Sequence, residues 1–316
     1  MRIRIFLMFL IVLSGSCRNN PLEVDVSDIE ARIEVIRFDT LFYGRDTSDY
    51  REVKQRFPYL FSPGISDSLW QAKMQDSLLL DLKSEVDRIF PGRLGVEDEL
   101  SGVFQHIKYY FPGWKEPKLL TLYSDWDYMK RILLADTMAF VFLDNYLGKE
   151  NPVYEGIPSY IRQTMTKAYI PVDFAEKFAE QVVPYPATKD FLSKIIYHGK
   201  ILYLKKALMP QAHDSLILGY NTEKYRWARE NEKNVWLYFL DNDLLFDTDK
   251  NLDKRFIDPA PFSKFYSEAD NESAGRIGRY VGLRIVEKYM EKKKPELKDL
   301  LRTDAQTIFN QSKYKP

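Results

Sequence analysis

FLSKIIYHGKILYLKKALM, residues 191–209, carries the strongest regular pattern in the chain. It reads as one helix of about five turns. Thr188 is the expected N-cap, Asp190 falls in the first turn, Lys205 and Lys206 suit the C-terminal end, and Pro210 stops it. Leu192, Ile196, Gly199, Tyr203 and Ala207 recur every three or four residues. That spacing gives one apolar face, with a glycine where another element must come close. His198 lies mid-helix, and the reading of function turns on whether its imidazole does chemistry.

Downstream, residues 221–245 read as one long helix capped by Thr222, with Leu237, Leu240 and Leu244 on its buried side. Residues 270–293 form the last strong helical pattern. Upstream, helices are expected over 49–57, 66–90, 97–111, 157–168 and 171–182. In the second of these, Leu69, Leu78, Leu79, Leu82, Val86 and Ile89 supply the buried positions. Two of the helices end on Phe-Pro-Gly, at 90–92 and 111–113, where proline cannot continue a helix and glycine allows the turn. Strands are expected over 33–38, 119–123 and 129–134, with a turn through Asp125 and Asp127; residues 137–147 fit a strand or a helix. Helices outnumber strands, and the strands fall in the first half. The fold class is therefore α+β, mainly helical, with a small sheet.

The N-terminus sets the compartment. Arg2 and Arg4 precede an apolar run over 5–13, too short to span a bilayer, and Ser14-Gly15-Ser16-Cys17 follows as a relaxed lipobox. Residues 1–16 are thus a lipoprotein signal peptide, Cys17 the lipidated residue, 17–30 a polar tether, and 31–316 a single globular domain. Cys17 is the one cysteine of the chain, so no internal disulfide competes for it. Several acyl chains would anchor the protein stably. Arg18 stands where an inner-membrane retention signal would place Asp, and no acidic run follows; the expected location is the outer membrane, facing the periplasm. With 46 basic and 46 acidic residues there is no basic excess for a nucleic-acid partner.

His-Gly-Lys-Ile-Leu begins at His198. A zincin helix needs His-Glu-x-x-His, which sets two imidazoles one turn apart on one face with the glutamate as general base. Here the base position is Gly199 and the second ligand position is Leu202, and neither binds zinc or takes a proton. The preferred reading is a partly buried histidine held by a carboxylate, Glu232 being the proposed partner; no metal and no cofactor are expected. Asp247-x-Asp249-x-Asn251 matches the start of a calcium loop, but Leu252 replaces the turn glycine and Asp258 the final Glu, which favours a solvated loop. Gly275, Gly278 and Gly282 share a face at helical spacing and, like Gly199, invite close packing. Their spacing is wrong for a dinucleotide site.

Several runs together resemble one family. They are HGKILY at 198–203, Gly219-Tyr220 with Trp227 and Asn231-Glu232, Arg255-Phe256-Ile257, PFSKFY at 261–266, and NESAGRIGRY at 271–280. LDNYLG at 143–148 and Ile157-Pro158-x-Tyr160 add to them. The chain resembles the gliding motility lipoprotein family (GldB) over nearly all of its mature length. That resemblance implies a cell-envelope lipoprotein needed for surface gliding, with motility or secretion envelope proteins as partners. It also implies a zincin-like fold, since the family is distantly similar to predicted zinc proteases with the full His-Glu-x-x-His. His198 alone of that trio remains, which makes the site degenerate and the chain a non-catalytic interaction component. The alternative is a metal-dependent periplasmic hydrolase using His198 and Glu232. A third possibility, a glycan-binding module, rests on the 15% aromatic content.

Overall fold

The computed structural model describes residues 21–316, so the segment expected to be a signal peptide and Cys17 lie outside the described residues. A four-stranded mixed sheet occupies the first half, built from β1 (Val35–Ile36), β2 (Lys118–Leu122), β3 (Ile132–Leu134) and β4 (Met138–Phe142). Its order is β1-β2-β4-β3; β1 and β4 run parallel to β2, and β3 runs antiparallel to β4. Leu119, Leu120 and Thr121 are all fully buried, as expected of a central parallel strand covered on both faces. Among the described residues the rest of the regular structure is helical. The N-terminal helices are α1 (Phe38–Phe42), α2 (Tyr50–Arg56), α3 (Asp67–Met74), α4 (Ser77–Ile89) and α5 (Glu97–Tyr110). After the sheet come α6 (Ser159–Arg162), α7 (Tyr169–Val182), α8 (Phe191–Leu208) and α9 (Asp214–Leu218). The chain then continues through α10 (Thr222–Glu230), α11 (Glu232–Asp241), α12 (Asn251–Phe256), α13 (Ile277–Lys293), α14 (Leu297–Arg302) and α15 (Ala305–Ser312). The α+β, mainly helical class expected from the sequence is what the chain adopts.

The central helix α8 is buried almost all round and not on one face, which makes it the core element against which α7 and α13 pack. Its cap is Asp190, whose Oδ1 accepts from Ser193 N at 2.8 Å, and not Thr188. Three lysines on it are buried and paired: Lys194 with Asp253 at 2.8 Å, Lys205 with Glu176 at 2.6 Å, and Lys200 with the carbonyls of Leu301 and Thr303. Burial lowers the Lys200 pKa to about 8.

Several helix spans are shorter than the sequence pattern suggests. The 66–90 segment breaks between Met74 and Ser77, where Asp76 starts a new helix by accepting from Leu78 N and Leu79 N. Leu69 and Leu78 are exposed in consequence. The 221–245 segment is capped by Asn221 and breaks at Asn231, whose backbone N and side-chain Nδ2 both donate to Trp227 O. Beyond the break the phase changes, so Val235, Trp236 and Phe239 face inward while Leu237 and Leu240 do not. Of residues 157–168 only α6 is helical, and β1 keeps two of six expected residues because Phe38 already opens α1. Residues 137–147 resolve into β4 and a 3-10 turn, Leu143–Asn145.

Residues 21–30 carry no helix or strand and are laid along the surface. Gln105 and Lys108 on α5 hold the carbonyls of Ile29 and Glu30, at 2.9 and 2.6 Å.

Candidate functional site

The site is organised by the crossing of α8 and α13. A Cβ added to Gly199 would lie 2.3 Å from Gly282 O, and one added to Gly282 would lie 1.8 Å from Ile195 O. Both obstacles are backbone, so the two helices touch main chain to main chain. Gly278 is less tight, its nearest neighbours being Ile195 Cγ2 and Phe256 O at 3.0 Å. Gly275 lies outside the helix, which starts at Ile277, so the three glycines do not share one helical face. Gly275 meets a different neighbour, Ala260 O, 2.1 Å from the Cβ position.

His198 is the residue before the Gly199 contact in the chain. It is half-buried, its ring lies edge-on to Tyr197 at 5.1 Å, and it makes no hydrogen bond to another described residue. Burial pushes its pKa down to about 3, and the guanidinium charges of Arg279 and Arg276 add to the shift against the opposing Glu176. The imidazole is therefore neutral at physiological pH. The sign follows from linkage: between about 3 and 6.5 the unfolded chain binds a proton that the folded chain does not, so stability falls as pH falls through that window. Relative to His198→Gln, the wild-type chain should lose up to about 1.4 kcal/mol per pH unit there. Urea midpoints of the two proteins measured at pH 7 and pH 4.5 check this, and parallel midpoints would contradict it.

Glu232 does not pair with His198. It accepts from Tyr280 and Tyr314 hydroxyls, both at 2.7 Å, and lies 3.4 Å from Arg284, so it ties α11 to α13 and the C-terminus. The Asp247 loop uses its carboxylates on its own backbone: Asp249 N and Asn251 N donate to Asp247 and Asp249 at 2.8 and 2.9 Å. Among the described residues no three His, Cys, Asp or Glu side chains come together as a metal site.

What the fold does bring together is a cleft of about 550 Å³ between α6, Tyr220 and the loop leading into α13. It adjoins a second chamber of about 320 Å³, and Arg131, Thr164, Tyr220 and Arg276 line both. Arg131 donates to Thr164 Oγ1 at 3.1 Å, and its Nε stands 3.1 Å from Asp173 Oδ2 without the alignment of a hydrogen bond. On the other side of the Gly219 turn, Arg276 donates to Leu218 O at 3.0 Å. Arg276 is left-handed, with φ +57°, a strained conformation for a residue with a side chain. Arg162 has a buried Nε with no acceptor. Behind them Glu176 bridges Lys205 and Arg279, which hold its carboxyl well below the usual range although burial alone would raise it.

Sequence reading placed Gly219-Tyr220 and Arg276 in family runs without assigning them to a site, and it passed over Arg131, Arg162 and Thr164. The one local signal was Arg276 set directly against a glycine-bearing helix. No curated protein and no solved structure matches the chain. A family model described as gliding motility protein GldB does match, over residues 19–316, and the chain therefore belongs to that family.

Proposed function

We propose that this protein is a lipid-anchored component of the gliding motility apparatus that acts by binding a partner and not by catalysis. Its anchor is Cys17, its place the outer membrane, its orientation periplasmic, and its partners other motility or secretion envelope proteins. The observation that carries the non-catalytic reading is the packing of Gly199. In a zincin helix this position holds the general base; here its Cβ direction ends 2.3 Å from the Gly282 carbonyl, in main chain that cannot swing aside. The second ligand position, Leu202, is buried. If the fold descends from a zincin, α13 now occupies the space the chemistry would need. The cleft beside α13 is the partner site.

The metal-dependent hydrolase alternative relied on Glu232, whose oxygens are held by two tyrosines. The test is complementation of a gliding bacterium lacking its own family member. His198→Ala should glide as the unmutated chain does at equal protein abundance. Loss of gliding with normal abundance would return the histidine to a working role.

A further inference from the structure

The outer chamber of the cleft is lined by five cationic side chains, Arg131, Lys149, Arg162, Lys224 and Arg276, against one carboxylate, Glu150. The chain as a whole carries no net charge, so this is a local concentration of positive charge in a concave, partly apolar site, where field lines are focused. Three of the five, Arg162, Lys224 and Arg276, have no ion-pair partner among the described residues, and Lys224 spends its ammonium on the carbonyls of Asn271, Glu272 and Ser273. Arg162 makes no side-chain hydrogen bond to another described residue, its Nε being buried without a partner, and Arg276 spends one nitrogen on the Leu218 and Gly219 carbonyls. A planar guanidinium fork left open matches a two-oxygen anion. The cavity also runs on past Arg276 into the inner chamber, so the space is elongated and not a single-ion pocket. Met129, Tyr160, Pro261 and Phe262 add apolar and aromatic surface between the charges.

We propose that this cleft binds a carboxylate-bearing peptide segment of a protein partner, with Arg162 and Arg276 receiving its carboxylates. Acidic side chains spaced along an extended strand satisfy both guanidiniums, and the apolar wall takes the residues between them. A lone phosphate meets the charges but leaves that wall and the inner chamber unused. The proposal rests on the partner-binding reading of the cleft and gives that partner its chemistry.

The test is fluorescence anisotropy of a fluorescein-labelled ten-residue peptide alternating Glu with Leu, added to the full chain in neutral detergent. Saturable binding is expected, weakening with added salt and at least tenfold weaker for the peptide with Gln in place of Glu. Arg162→Gln and Arg276→Gly should each weaken it tenfold or more, while Arg162→Lys recovers part of the loss. Glycine suits the positive φ at 276, so that variant keeps the backbone; if it fails to fold, Arg162→Gln decides. Equal binding of the Glu and Gln peptides, or indifference to both substitutions, overturns the proposal. So does a result in which inorganic phosphate or phosphatidylglycerol vesicles bind in an arginine-dependent way and the peptide does not. Complementation separates the two levels. Variants that abolish gliding while the wild type ignores the peptide keep the partner site and reject the carboxylate. Peptide binding lost in variants that still glide keeps the carboxylate site and rejects the cleft as the working partner surface.

Discussion

Restoring the zinc motif by Gly199→Glu with Leu202→His should yield a chain that does not fold, and not a peptidase. The first carbon of the new side chain at 199 would sit 2.3 Å from Gly282 O and 2.8 Å from Leu283 N, closer than nonbonded atoms approach. Backbone within a helix has no rotamer to escape into, so α13 must move away from α8 along the centre of the core. Even Gly199→Ala should cost about 3 kcal/mol, the upper range for overpacking. Gly282→Ala, with Ile195 O only 1.8 Å away, should cost at least as much. Thermal unfolding of the two alanine variants measures this, with a fall in Tm of about 5 °C expected. Gly278→Ala should be milder, because its nearest neighbours, Ile195 Cγ2 and Phe256 O, stand 3.0 Å away; Gly278→Leu should not be tolerated. Unchanged Tm in Gly199→Ala would mean that the helices are not in main-chain contact.

The second large effect lies at the start of the sheet. Asp39 is fully buried and receives Arg37 through two bonds, at 2.9 and 2.7 Å, with Thr121 of β2 donating a third. Arg37 also holds Phe90 O at 2.8 Å, so one ion pair joins α1, the central strand and the end of α4. Arg37→Ala leaves a carboxylate buried with a single hydroxyl donor, and Asp39→Ala leaves the guanidinium with only the more distant Asp87, 3.8 Å away. Each should cost about 3–5 kcal/mol, as breaking one side of a buried pair does. Replacing both by apolar residues should cost less than either single change, since no unpaired charge remains. A double-mutant cycle by urea denaturation checks it; additive costs would show that the pair is not coupled.

The contrast between what was readable and what was not has a physical pattern. Residues 191–209 were legible as a helix because Asp190, the apolar repeat and Pro210 all act locally. The Phe-Pro-Gly stops at 90–92 and 111–113 were legible for the same reason, and Phe90 and Phe111 are the C-caps of α4 and α5. Asn231 was not, because an asparagine inside a helical pattern is common and only the paired donation to Trp227 O makes it a break. The extent of the sheet was also hidden: β1 is two residues long, and its pairing partner lies more than eighty residues away. The glycine positions stood out in the sequence, yet which backbone each one meets depended on the tertiary crossing. The arginine cleft could not be read in advance. Arg131, Arg162 and Arg276 come from three separate segments, and each alone resembles a solvated surface charge.

The most direct test of the non-catalytic account is the zinc content of the full chain in detergent, after incubation with excess zinc and its removal, by elemental analysis beside His198→Ala. The account expects far less than one zinc per chain and no difference between the two proteins. One tightly held zinc per wild-type chain, lost in His198→Ala, would contradict it.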